Sequence, residues 1–216
     1  TQNELNKTDC VSIHQPGYLP WIGYFHKIFF SDIFIFHDNV QFSKKSFIKR
    51  VTIRKNYSND SEFISIICNR HSDYIKISDI EINFEIEWQQ KHINKIFNSY
   101  QEYSYFNEVF PFIEQLIVSA KKYINLSDYL YFQTEQILNY LEIKRNLFRS
   151  SKLKNLNFTS DKFLNNKILC KKFKAKNYLS GMGALQYQKF NEEKFEKIRI
   201  LYQDISLYNK ILKKNQ

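Results

Sequence analysis

The stretch CVSIHQPGYLPWIGYFHKIFFSDIFIF, residues 10–36, decides the fold. Cys10–His14 reads as a short buried strand. Pro16 biases Gln15 toward an extended backbone, and Pro20 does the same to Leu19. The residues between them form a shaped loop, and Pro20 suits the first turn of a helix. Trp21, Phe25, Ile28 and Phe29 then recur at helical spacing, a core-facing stripe that runs to about Ser31. Asp32 breaks the pattern. Ile33–Phe36 is a second buried strand, ending at His37 and Asp38. Strand, loop, helix, strand is the opening of an α/β sheet. Ligands of such sheets bind at the carboxyl ends of the strands, where His14-Gln15 and His37-Asp38 stand.

The chain has only four glycines and three prolines. Gly17, Gly23, Pro16 and Pro20 fall inside this stretch. Gly181 and Gly183 lie in a second one, Tyr178-Leu179-Ser180-Gly181-Met182-Gly183. Globular chains average about 7% glycine. The abundance of Lys, Asn, Ile, Phe and Tyr points to AT-rich coding, which explains the scarcity of glycine but not its clustering. Glycine permits φ > 0 and close approach of the backbone to a ligand, so the two segments are expected to line one site.

Outward from the opening stretch, Val51–Arg54 and Phe63–Ile67 read as a hairpin with its loop at 56–60. Tyr74–Phe84 alternates like a strand, with a slip near Asp79. The period then changes to helical for Trp88–Tyr103, Tyr105–Tyr123 and a third helix to Leu141, for which Ser127 is the expected N-cap. Asn146–Ser151 reads as a strand and Ser160–Phe173 as a helix. Asn177–Leu179 and Ile198–Tyr202 read as strands, with a small helix expected from Phe190. No repeat or linker divides the chain. The expectation is one α/β domain over 1–216, a mixed sheet with a mostly helical middle segment.

The 216 residues include 20 Phe and 15 Tyr, ample for a core. No apolar run reaches the roughly 18 residues of a membrane helix, and the polar start lacks a signal-peptide pattern. Cys10, Cys68 and Cys170 are too few and too far apart for a disulfide framework or zinc knuckle, so a reducing cytoplasm is expected. The net charge of +10 favours anionic partners. A nucleic-acid platform would place aromatic residues on exposed strands among basic ones, whereas most aromatic residues here fall on apolar faces. No His-x-x-x-His or Cys-x-x-Cys spacing supports a metal site, and no cofactor is expected.

A set of motifs adds a resemblance. Ile13-His14-Gln15-Pro16, Tyr18, Pro20-Trp21, Gly23-Tyr24-Phe25, Ser31-Asp32, Phe34-Ile35, Asp38, Val40-Gln41, Arg50, Ile53, Trp88, Lys91-His92, Tyr178-Leu179-Ser180-Gly181 and Tyr187 together resemble the WbqC-like family over nearly the whole chain. The chain departs from the pattern at Lys49, where Asn usually precedes the Arg. The resemblance implies work on bacterial surface polysaccharide: acyl or aminoacyl transfer to the amine of a nucleotide-linked amino sugar, with an acyl carrier protein as one donor.

The residues can be read against that chemistry. Acyl transfer to an amine needs a base and donors for an oxyanion. His14 is the candidate base and Asp38 the group to orient it. Gly181 and Gly183 would offer backbone N–H groups to an oxyanion or phosphate, with Ser180 beside them as a substrate contact. Lys45 and Arg50 could hold a diphosphate. Gln15, Tyr18, Trp21, Gln41 and His92 complete the expected substrate contacts. Two other readings stay open: a nucleotidyl or adenylyl transferase, from the His14-Gln15-Pro16 loop before a helix, and a non-enzymatic basic protein that binds nucleic acid or nucleotide sugar.

Overall fold

The structure, a computed structural model, describes residues 9–44, 46–56, 60–181 and 195–206. Its contacts group into two compact units. The first holds the chain up to His14, Trp21–His37 and everything from Ile143 onward; the second holds Gln15–Pro20 and Asp38–Glu142.

The first unit is a parallel sheet of β1 (Cys10–His14), β2 (Ile33–Phe36), β5 (Asn146–Arg149), β6 (Asn177–Ser180) and β7 (Arg199–Tyr202), in the order β5-β2-β1-β6-β7. Every pairing is parallel. The near-continuous apolar runs of β1 and β2 follow, because a parallel sheet carries helices on both faces. Side chains alternate across the sheet. Val11, Ile13, Ile33 and Ile35 pack with Leu169, Cys170 and Phe173 of helix α5 (Lys162–Lys172) and its end. Ser12, His14 and Phe34 face helix α1 (Ile22–Phe29): Ser12 Oγ lies 2.8 Å from Ser31 Oγ just past α1, and the Phe34 ring sits 5.1 Å from Tyr24. Asp161 caps α5, accepting from the N–H groups of Phe163 and Leu164. The chain leaves β1 through α1 on one face and arrives at β6 through α5 on the other. The strand order therefore reverses between β1 and β6, the position where sheets of this kind hold ligands.

The second unit contains a hairpin of β3 (Arg50–Arg54) and β4 (Ser61–Ser65) and three helices, α2 (Trp88–Tyr100), α3 (Phe106–Val118) and α4 (Leu126–Tyr140). The α/β class is as expected, but the antiparallel strands form a sheet of their own rather than joining the parallel one. Residues 74–84 do not form the expected strand. Ile77–Asp79 is a 3₁₀ turn, and only isolated bridges (Gln41 with Lys76, Cys68 with Ile82, Glu81 with Asn125) mark the segment. The slip at Asp79 is that turn, which buries Ile77, Ile80 and Ile82 without a ladder. Ser127 is not the cap of α4. Asn125 is, its side chain accepting from the Asp128 N–H at 3.2 Å. The small helix expected from Phe190 starts outside the described residues. Among the described residues no helix is long and apolar enough to cross a membrane.

Candidate functional site

The carboxyl edge of the first unit's sheet collects the polar groups. The β1–β6 ladder ends at Ser12↔Leu179, so His14 and Gly181 each stand two residues past its last pair, on the two strands that flank the reversal point. His14 is exposed, and its ring meets the buried Tyr24 ring edge-on at 5.1 Å. No glycine among the described residues has a positive φ, so Gly181 is not there for a left-handed turn. A Cβ built on Gly181 would meet nothing within 4 Å. The position is open, and its N–H makes no hydrogen bond to another described residue. Ser180, just before it, is buried. Gly183 lies outside the described residues.

Neighbouring strands extend the edge. His37 follows β2; its N–H donates to the His14 carbonyl at 2.8 Å and its Nδ1 lies 3.0 Å from Ser150 Oγ, just past β5. Gln203 follows β7. Its N–H donates to the Ser180 carbonyl, and its side-chain amide donates to the Gly23 carbonyl at 2.6 Å and lies 3.0 Å from His26 Nδ1. Burial, opposed by the charge of Asp204, leaves the His26 imidazole below its usual range. At the start of α1 the Trp21 indole lies across Gly23, where a Cβ would come within 2.1 Å of the ring. Trp21 is 54% exposed, so the expectation that it joins a core-facing stripe fails. The first turn of α1 has neither an acidic residue nor a side-chain cap, so its N–H groups are suited to an anion.

Lys27 was not singled out by its sequence context, yet it is buried in α1 and its Nζ donates to the Ile13 carbonyl at 2.8 Å. Cys10, nearby on β1, is no nucleophile: burial, aided by Asp32, raises its thiol to about 11.

The remaining candidates fall in the second unit. Tyr18 and His92 are both buried and bonded to each other, Tyr18 Oη to His92 Nδ1 at 2.9 Å, with the Trp88 ring beside both. Burial pulls the His92 imidazole down to about 4, and a bond to the Ser65 backbone partly opposes this. With one ring nitrogen donating to Ser65, Nδ1 is left to accept the Tyr18 proton. The pair, together with the Leu19 N–H donating to Gln133 Oε1 at 2.7 Å, pins the Pro-flanked loop. Leu19, not a glycine, takes the left-handed backbone there, at φ 42°. Asp38 is fully buried and accepts from the Ser127 hydroxyl at 2.7 Å, which is the work Ser127 does in place of capping α4.

Gln15 and Gln41 are exposed; the Gln41 amide donates to the Asp73 carbonyl. The Arg50 guanidinium lies 4.4 Å over the Phe63 ring and 5.7 Å from Phe47. Lys45 lies outside the described residues. The edge residues that the sequence did not offer as site candidates, Lys27, Ser150 and Gln203, carried no signal beyond polarity, because their convergence depends on strand order.

Residues 15–213 match the WbqC-like protein family, from the loop after His14 through the last strand. The chain belongs to the WbqC-like protein family. A relative of this WbqC-like chain, the uncharacterised protein Rv1507c of Mycobacterium tuberculosis (strain ATCC 25618 / H37Rv), is 26% identical over 191 residues, covering 88% of this chain and 79% of its own. No solved structure matches.

Proposed function

We propose that this chain is an acyltransferase that moves an acyl or aminoacyl group from a thioester to the amine of a nucleotide-linked amino sugar used in bacterial surface polysaccharide. The observation that carries the reading is the exposed His14 and the open Gly181, each two residues past the last β1–β6 pair on the strands that flank the sheet's reversal point. A neutral His14 imidazole would take the proton as the sugar amine attacks the thioester carbonyl. The Gly181 N–H would donate to the oxyanion. The C–N bond forms, the C–S bond breaks, and the departing thiolate takes the proton from the imidazolium. The exposed Trp21 indole offers a face for a sugar or base ring, and the uncapped start of α1 suits a phosphate.

The test is a mass assay. The protein is incubated with nucleotide-linked amino sugars and either acyl-coenzyme A or acyl carrier protein thioester. The reading expects a sugar product heavier by one acyl group and one free thiol per turnover. A product carrying a transferred nucleotide would replace it with nucleotidyl transfer. No turnover with any donor, alongside salt-sensitive binding of random DNA, would point to a basic binding protein.

A further inference from the structure

Lys27 is 3% exposed, and among the described residues it has no carboxylate partner and no acceptor besides the Ile13 carbonyl. A buried ammonium is costly unless it is compensated, and here one hydrogen bond does that work. Burial draws its pKa down to about 8, so it still carries its charge near neutral pH. Hydroxyls hold the helix in place at this point, Ser31 Oγ donating to the Lys27 carbonyl at 3.0 Å and Ser12 Oγ at 3.5 Å.

The position of the bond matters more than its strength. The Asn177 N–H donates to the Asp9 carbonyl at 2.7 Å, so the odd-numbered carbonyls of β1 turn toward β6. The β1–β6 ladder stops at Ser12↔Leu179. The next carbonyl on that side is Ile13, and Lys27 occupies it. The ammonium thus closes the ladder at the reversal point, one peptide before His14. With a 2.8 Å bond and standard covalent lengths, Nζ lies within about 10 Å of the His14 ring carbon attached to Cβ.

We propose that Lys27 is the positioning residue of His14: its buried ammonium holds the Ile13–His14 peptide and its charge disfavours the imidazolium. The inference rests on the reading of His14 as a base. A unit cation at that range, with an effective dielectric of about 20, lowers an imidazole pKa by roughly one unit. Around His14, α1 contributes Tyr24 and Lys27, β2 ends in His37, and β6 brings the uncharged Ser180 and Gly181. The outer strands carry Arg149 at the end of β5 and Asp204 beyond β7. Lys27 is the buried cation of the set.

Nitrogen-15 NMR of the histidine rings tests this, with His14 assigned from the spectrum of His14→Gln. Lys27→Met keeps the length and removes the charge. In the folded variant the His14 titration midpoint should rise by roughly one pH unit, and the acid limb of any pH–rate profile should move with it. Lys27→Arg should keep the midpoint near the wild-type value. A folded Lys27→Met protein with an unmoved His14 midpoint overturns the proposal, as does a folded Lys27→Arg protein that titrates like the Met variant. If Lys27→Met does not fold, the wild-type protein decides. As Lys27 loses its proton near pH 8, the His14 resonances should show a second inflection, and their failure to do so overturns the proposal. Because the readout is a titration, failure of the acyl-transfer reading leaves it intact.

Discussion

At the scale of single residues, two of the candidate histidines, His14 and His92, do different work. His14 is exposed at a strand end, and its ring meets the edge of Tyr24. His14→Ala should lower turnover by about 10²–10⁴-fold while far-UV circular dichroism and melting temperature stay near wild type. A variant that melts early would make His14 structural. His92 is the opposite case. Its folded pKa of about 4 lies below the ordinary 6.5, so the unfolded chain takes up the proton first as pH falls. Stability contributed by the neutral ring is present above pH 6.5 and is lost between 6.5 and about 4, by up to about 3 kcal/mol. Denaturant midpoints measured at pH 7 and pH 4.5 should fall more for the wild type than for a folded His92→Gln variant. Both histidines stood out in the sequence as candidates. That one is exposed and the other is buried and bonded to Tyr18 could not be read there, since the distinction depends on residues as remote as Ser65 and Trp88.

At the scale of elements, α1 shows what local pattern conveys and what it omits. Its helical period was legible, and so were β1 and β2 on either side. The apolar stripe misled at both ends: Trp21 precedes the first turn and folds back over Gly23 instead of entering the core, and Phe29 is exposed, which leaves Phe25 and Ile28 as its buried part. Lys27 lies three residues after Tyr24 and four before Ser31, on the inward face, yet lysine is normally read as outward. The residue preceding α4 was misread for a similar reason: Asn125 and Ser127 both suit a cap, and the choice is made by Asp38, far away in sequence. The Trp21–Gly23 contact leads to a prediction. Trp21 is exposed and Trp88 is 2% exposed, so iodide should quench only the Trp21 share of the emission. A nucleotide sugar that stacks on the indole should alter that share, and Trp21→Phe should abolish the response. Gly23→Ala, which forces the indole off the helix, should weaken binding of the same ligand with a smaller change in melting temperature. Equal binding by both variants would remove Trp21 from the ligand's surroundings.

At the scale of the whole molecule, charge is the property that local reading handles best. With a net +10, association with an acidic acyl carrier protein should be steered electrostatically. The apparent second-order rate with the carrier thioester should fall several-fold from low to physiological salt, while the rate with acyl-coenzyme A as small donor changes less. Charge reversal at Lys44 and Lys45 should raise KM for the carrier and leave kcat for a small thioester nearly unchanged; Lys44 is paired with Asp73 across 2.8 Å at the surface, so its share should be the smaller. Rates indifferent to salt would count against a carrier donor.

The strand order has a consequence for synthesis. β1 is the middle strand, but its neighbour β6 begins only at Asn177, more than 160 residues after β1 ends at His14. At roughly 5–20 residues per second on the ribosome, β1 waits on the order of ten seconds or more for that partner. During the wait one side of a largely apolar ladder is an unpaired edge, a template for pairing with another chain. The continuous run from Asp38 to Glu142 can meanwhile collapse on its own contacts. A nascent chain stalled before β6 should therefore be a client of holding chaperones, and one released there should aggregate rather than persist as a shorter folded protein. Arrest-peptide force profiles on nascent chains would show the sheet closing late, only after β6 has cleared the exit tunnel.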